Sequence, residues 1–458
     1  MPIALSPTAD FGAASDYIAS CLALAHERLG NFSSIKEIAA HERQLNRYPR
    51  LELLEAPRRV LVLEDGATPD RLAAARAAVL RGEVLFEHAA AGEGTRLMLG
   101  PKYFLNLARD LNVERLAHLL SQESGNLVTP QDVAAGLERQ PQDLLPLSLG
   151  TRHMLQLVFD LSRLALELGE APQEVLRRQH LLIIISAEML AHLEKEFYRW
   201  HFFGFNPRQV LFMVQDSFHG LNLSGGKFFY DRQSPRRLHN HGQMVMQQTM
   251  DRQIFSLAGT HLQDKTFCSR AAVGDWLKIF SDKISYNIED LDYLTDSIDF
   301  AGLGLALELG WQGHNMIMEV VANNPQKPQK GGMLAWDPEL SRDVMVESFQ
   351  LGDLANADIH YLNRNFNHYP QPAVSWRRVG EAGLPMPITV KDGCLYFQPV
   401  QGDINFLVQT AFFRRRELRP IRSLKSPASL PLAINRMSAQ DRQPGFREFV
   451  QRCQQGSL

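Results

Sequence analysis

The stretch Val84-Leu-Phe-Glu-His-Ala-Ala-Ala-Gly-Glu-Gly-Thr-Arg-Leu-Met-Leu-Gly-Pro-Lys-Tyr-Phe104 holds residues whose types and spacing suit phosphate. Gly92 and Gly94 let backbone N–H groups approach an anion without Cβ interference, Thr95 and Arg96 add side-chain donors, and Lys102 offers a second positive charge. No Gly-Lys-Ser/Thr closes the loop, so it is not a Walker A loop. A plain turn between a strand and a helix is the competing reading.

Other residues invite chemistry in the same way. Glu289, Asp290, Asp292, Asp296 and Asp299 form an acidic run that is either a solvated face or a source of oxygen ligands for a hard cation. Gln215 closes a short apolar run, where an amide either pairs with a planar ligand or satisfies nearby backbone. His239-Asn-His241 flanks one residue with two imidazoles, but no cysteine or third histidine is near in sequence, which argues against zinc. Arg414, Arg415, Arg416, Arg419 and Arg422 read as a solvated basic face, from which one arginine or Lys425 could reach a site.

These residues need elements to hold them. Leu181-Leu-Ile-Ile-Ile185 and Val210-Leu-Phe-Met-Val214 are continuous aliphatic runs, the mark of strands buried on both faces of a parallel sheet. Helical patterns over 151–168 and toward Trp200 alternate with them, which predicts an α/β fold with ligands at the carboxyl ends of the strands. Residues 10–48 read as two helices around Gly30-Asn31, a packing appendage. Prolines 130, 141 and 146 predict a surface excursion over 125–149.

A chain of 458 residues, 45% hydrophobic and 22% charged, supports a large core and two or three structural units. Its formal charge of -3 gives no reason to expect nucleic acid or an anionic membrane as partner, and no apolar run reaches the length of a membrane span. Cys21, Cys268, Cys394 and Cys453 are scattered without Cys-x-x-Cys pairing, which fits a reducing cytoplasm.

The glycine loop resembles the Gly-x-Gly-Thr-Arg-Leu and Pro-Lys signature of nucleotide-sugar pyrophosphorylases, with Ala91 where many members have a further glycine. Beyond it come Ser186, Phe212-Met-Val-Gln215, Ser234-Pro-Arg-Arg-Leu-His-Asn-His-Gly242 and Leu291-Asp-Tyr-Leu-Thr-Asp-Ser-Ile-Asp299. Met318-Glu-Val320, Lys330-Gly-Gly332, Val346-Glu-Ser-Phe-Gln350 and the partial match Phe366-Asn367 follow. In that order they are similar to motifs of the UDP-glucose and UDP-N-acetylhexosamine pyrophosphorylase family.

The resemblance implies a Rossmann-like nucleotidyltransferase core of the GT-A type with a mixed, mostly parallel sheet, spanning 59–376, between a helical appendage (1–58) and a small C-terminal lobe (377–458). It implies a Mg²⁺-dependent uridylyltransferase that forms a UDP-sugar and pyrophosphate from UTP and a sugar 1-phosphate, glucose 1-phosphate first. In that reading Arg96 and Lys102 act on the triphosphate, while Ala91, Gly92, Gly94, Thr95, Gln215 and Gly242 bind the nucleotide. His241, Glu319, Lys330 and Gly331 bind the sugar phosphate, and Asp292 holds Mg²⁺, with Asp290 its rival. A glycosyltransferase using a ready-made UDP-sugar, kept open by Asp290-x-Asp292, and a nucleotide-sugar sensor without turnover are the alternatives. The sugar and the oligomeric state stay open.

Overall fold

The computed structural model describes residues 11–257, 264–324, 331–354, 358–417 and 422–457. The aliphatic runs become neighbouring parallel strands. Val84–Ala89, His180–Ser186 and Val210–Gln215 lie side by side, with Leu85 opposite His180 and Leu181 opposite Val210. Every residue of Val84–Ala89 is buried, as a strand covered on both faces requires.

These strands belong to a twelve-stranded sheet. From one edge its order is Val60–Val62, Thr410–Arg414, Met316–Ala322, Tyr361–Pro370, Asp282–Asn287, Val84–Ala89, His180–Ser186, Val210–Gln215, Ile254–Ser256 and Thr266–Phe267. Tyr361–Pro370 and Ile254–Ser256 run against their neighbours, and the hairpin of Met333–Asp337 and Arg342–Val346 attaches to Tyr361–Pro370. The remaining pairs along the order are parallel, so the sheet is mixed and mostly parallel, within an α/β fold.

Helix Leu149–Glu167 covers one face. Ser148 caps it by accepting the Thr151 N–H, and Leu155, Val158 and Leu161 enter the principal core. Over the preceding stretch the surface excursion that the prolines predict carries Pro130–Gly136 and a single turn, Pro141–Asp143. Thr129 and Asp132 form a capping box, and each proline opens its element, where its missing N–H costs nothing. Val133, Leu144 and Leu147 are buried in consequence.

Helices Phe11–Leu29 and Ile35–Asn46 pack on a separate four-stranded sheet made of Leu221–Ser224, Lys227–Tyr230, Ile388–Lys391 and Cys394–Phe397. Asn46 clamps the Ile388 backbone from both sides, donating to its carbonyl at 2.7 Å and accepting its N–H at 2.8 Å.

The stretch 377–458, expected as a small lobe, is distributed. Part completes the small sheet, Thr410–Arg414 inserts into the central sheet, and helices Leu430–Asp441 and Phe446–Gln454 join the principal core through Leu430, Ile434, Phe446 and Phe449. Among the described residues no helix is long and apolar enough to cross a membrane.

Candidate functional site

The glycine loop leaves the sheet at the carboxyl end of Val84–Ala89, extended by an Ala90 N–H to Ile184 carbonyl bond of 2.7 Å. Gly94 takes φ +63°, and a Cβ there would stand 2.6 Å from the Gly100 carbonyl oxygen, so glycine is required. Thr95–Leu97 forms a single 3₁₀ turn, pinned by fully buried Leu97. The Lys102 N–H closes the loop onto the Gly92 carbonyl at 3.1 Å. The Lys102 stem packs beside Gly92, its Cδ 3.6 Å from the position a Cβ would take, an ordinary van der Waals distance.

Above this loop lies a cavity of about 700 Å³. Gly92, Gly94, Arg96 and Lys102 line one side; the strand end Ser285–Asn287 with Glu289 lines the floor; Asn240, His241, Glu347, Gln401 and Lys425 close the rest. Lys102 Nζ stands 2.5 Å and Lys425 Nζ 3.4 Å from the Glu289 carboxylate. Burial pushes that carboxyl up, but the two lysines win and hold it below its ordinary value. With Arg96 exposed beside them, three cations face the two carboxylates of Glu93 and Glu289 at the loop, an arrangement suited to a polyphosphate. Across the cavity, burial pushes the Glu347 carboxyl up to about 7.

The floor is held from beneath. Glu87, fully buried in its strand, accepts from Lys283 Nζ at 2.9 Å, Ser285 Oγ at 2.8 Å and Gln248 Nε2 at 2.8 Å. Gln401 donates to Tyr369 Oη at 2.8 Å and to Ser285 Oγ at 3.3 Å. The strand end and the opposite wall therefore share one hydrogen-bonded network.

Of the residues expected from sequence, Gly92, Gly94, Arg96, Lys102 and His241 converge on the cavity. Thr95 opens the loop's 3₁₀ turn, and Ala91 is buried behind it rather than lining the cavity. Lys330 lies outside the described residues, and Gly331 sits beside the Asn363 backbone without lining the cavity.

Four of the expected site residues, Gln215, Gly242, Asp292 and Glu319, are committed to partners inside the protein. Gln215 spends both amide hydrogens inside the protein, on the Asn240 carbonyl at 2.9 Å and Gln243 Oε1 at 3.1 Å, so it cannot donate to a base as it stands. The His239–Gly242 segment is not an open loop, because helix Asn240–Gln247 begins there. Gly242 is a packing residue: its N–H bonds the Pro399 carbonyl at 3.0 Å, and a Cβ would meet the Pro399 carbonyl carbon at 2.3 Å. Asp292 and Glu319 belong to a neighbouring cavity of about 530 Å³, where arginines neutralise them. Asp292 pairs with Arg364, Arg422 and Arg436, while buried Glu319 accepts from Arg364 at 2.7 Å and Arg415 at 2.9 Å.

A carboxylate compensated by three guanidiniums does not fit a Mg²⁺ ligand. Among the described residues no group of three histidine, cysteine or acidic side chains forms a metal set. Asp290 gives no substitute: burial pushes its carboxyl up to about 7, and it accepts the Asp292 N–H at 3.0 Å. The Asp-x-Asp pair thus lines the arginine-rich neighbouring cavity.

Glu289, Glu347 and Gln401 were not singled out from sequence as site residues. For Glu289 a signal existed, since it is the first carboxylate after the strand Asp282–Asn287.

A central mixed, mostly parallel sheet with a glycine loop at its carboxyl ends places the chain in the α/β class. More particularly, the fold is that of the UDP-sugar pyrophosphorylases. It is shared by a UDP-N-acetylglucosamine pyrophosphorylase from Trypanosoma brucei in complex with inhibitor, at 14% identity and a TM-score of 0.56, covering 92% of this chain and 79% of that one. A mutant UDP-glucose pyrophosphorylase from Leishmania major in complex with UDP-glucose is similar at 13% identity and a TM-score of 0.52, covering 93% of this chain and 79% of that one. No protein-family profile matches the chain, and no curated protein does.

Proposed function

We propose that the chain is a uridylyltransferase of the UDP-sugar pyrophosphorylase family, built on a Rossmann-like core of the GT-A type. UTP and a sugar 1-phosphate, glucose 1-phosphate first, give a UDP-sugar and pyrophosphate. The observation that carries this reading is the cavity itself: a closed glycine loop presenting Arg96 and Lys102, faced by Lys425, at the carboxyl ends of parallel strands. Unpaired cysteines support a cytoplasmic setting.

In this reading the sugar phosphate oxygen attacks the α-phosphorus in line, the bond to the bridging oxygen of the β-phosphate breaks, and pyrophosphate leaves with that oxygen. The protein needs no covalent nucleophile, so its contribution is positioning and charge neutralisation. Arg96, Lys102 and Lys425 stabilise the leaving pyrophosphate, and the backbone at Gly92–Gly94 cradles the phosphates. His241 and Glu347, which line the same cavity, contact the sugar phosphate. Mg²⁺ would enter with the triphosphate as its counter-ion.

The test is pyrophosphate release from purified protein with Mg²⁺, each of the four NTPs and a panel of sugar 1-phosphates. Release that requires UTP and one sugar phosphate together is expected; silence across the panel overturns the transferase. The neutralised Asp292 favours one second reading, a sensor that binds a UDP-sugar without turnover, and a melting temperature raised by UDP-sugar in an inactive protein would establish it.

Glu347 supplies a prediction within the same assay. Its carboxyl, pushed up to about 7, is neutral below that pH and adds a negative charge to the cavity wall above it. The KM for the anionic sugar phosphate should therefore climb as pH rises through 7. Glu347→Gln should flatten that rise, and an unchanged profile would remove Glu347 from the sugar side.

A further inference from the structure

The acidic residue that sequence register pointed to as a metal ligand is an arginine hub. Asp292 Oδ2 accepts from Arg364 Nη2 at 2.6 Å, and its Oδ1 accepts from Arg436 Nη2 at 2.6 Å and Arg422 Nη1 at 3.1 Å. The three arginines differ in origin. Arg364 comes from the central sheet, whereas Arg422 and Arg436 come from the C-terminal stretch, the latter from helix Leu430–Asp441.

That stretch is also stitched by its backbone to the residues just before the hub. The Leu291 N–H donates to the Arg422 carbonyl at 3.0 Å, and the Leu424 N–H donates to the Glu289 carbonyl at 2.8 Å. Asp290 and Ser423 form a β-bridge between these two bonds, and Leu424 is fully buried in the principal core. One residue further, Lys425 enters the cavity and reaches Glu289 at 3.4 Å. The hub and the cavity lysine are thus two ends of one short docked segment.

We propose that Asp292 is a positioning residue: by binding Arg422 and Arg436 it docks the C-terminal segment on 289–291 and so holds Lys425 in the nucleotide cavity. Without the carboxylate, Arg364, Arg422 and Arg436 would face one another across a shared position, and like charges brought together in a partly buried place repel. Glu319 cannot take over, because its carboxylate is already committed to Arg364 and Arg415, and Arg415 in turn to Asp299. The kinetic part of this inference rests on the proposed transferase; the docking part does not.

The experiment combines two variants, Asp292→Asn and the milder Arg422→Gln, with Lys425→Ala alone and in the Asp292→Asn background. Amide exchange at Leu291 and Leu424 should speed up in both hub variants, and the KM for UTP should rise about ten-fold, the scale of one charge-assisted contact. The Mg²⁺ concentration for half-maximal rate should stay where it is in the wild type. Lys425→Ala alone should raise the KM by a similar factor and add almost nothing to Asp292→Asn.

Unchanged exchange at Leu424 together with a shifted Mg²⁺ requirement would make Asp292 a metal ligand and overturn the proposal. Full additivity of Asp292→Asn and Lys425→Ala would overturn it as well. Should the wild type turn over no nucleotide, the transferase falls, and exchange at Leu424 in the two hub variants still decides the docking: retained protection rejects it.

Discussion

Lys102→Ala is expected to lower kcat/KM for pyrophosphate release by about 10²–10³-fold, the range found when one preorganised donor to a developing negative charge is removed. The side chain is set for that task by the loop around it. Its backbone N–H closes the loop on Gly92, its stem runs against the glycine, and its ammonium is held 2.5 Å from Glu289. That partner matters for the size of the effect. Glu289 is kept ionised by Lys102 and Lys425 together, so deleting Lys102 leaves a carboxylate with only the more distant lysine beside the incoming triphosphate. Substrate then meets a lost attraction and an uncovered negative charge at once. A Lys102→Ala/Glu289→Gln double variant should accordingly recover part of the lost UTP affinity while turnover stays low. Steady-state kinetics by pyrophosphate release check both, with circular dichroism to show that the fold is kept. Near wild-type kcat/KM in Lys102→Ala would mean that Lys102 has no part in the chemistry.

The contrast between Lys102 and Asp292 shows what this sequence made legible. The glycine loop could be read because its geometry is local: Gly94, Arg96 and Lys102 fold onto one another within a dozen residues, so order in sequence is nearly order in space. Buried strands were equally plain, since a run such as Leu181 to Ile185 has no polar face to offer water. The acidic run was not plain. The family resemblance selects Asp292, but which carboxylate faces the larger cavity is decided by where the strand Asp282–Asn287 stops, and that delivers Glu289. Gln215 fails for a related reason. A strand-end amide can serve a ligand or its neighbours, and the answer lay in helix Asn240–Gln247, whose start supplies the acceptors. Lys425 was named from sequence only as one of several basic residues that could reach a site. Its place depends on Arg422 and Arg436 finding Asp292, a tertiary pairing with no trace in spacing.

The largest stability effect is expected at Asp441, which closes the same C-terminal region onto the core. Arg152, 1% exposed inside helix Leu149–Glu167, donates to Asp441 at 2.7 and 3.3 Å, to Gln440 at 2.9 Å and to the Leu145 carbonyl at 2.7 Å. Asp441 also accepts the Leu145 N–H at 2.8 Å. Removing the charge in Asp441→Asn leaves a guanidinium buried without its counter-ion, a change that costs about 3–5 kcal/mol in comparable sites. Urea unfolding should show the loss as a lower midpoint. The double variant Arg152→Met/Asp441→Leu should cost less than Asp441→Asn alone, because an apolar pair leaves no charge stranded. A single variant with an unmoved midpoint would mean that the pair contributes nothing. Asp441 ends the helix that carries Arg436, so the same variant also probes how firmly the Asp292 hub is held. If Asp441→Asn lowers the midpoint yet leaves the KM for UTP unchanged, helix Leu430–Asp441 keeps its place through Leu430, Ile434 and Met437 in the apolar core, and the ionic hub alone governs Lys425. If the KM rises in parallel, the buried pair and the hub act as one clamp on the cavity.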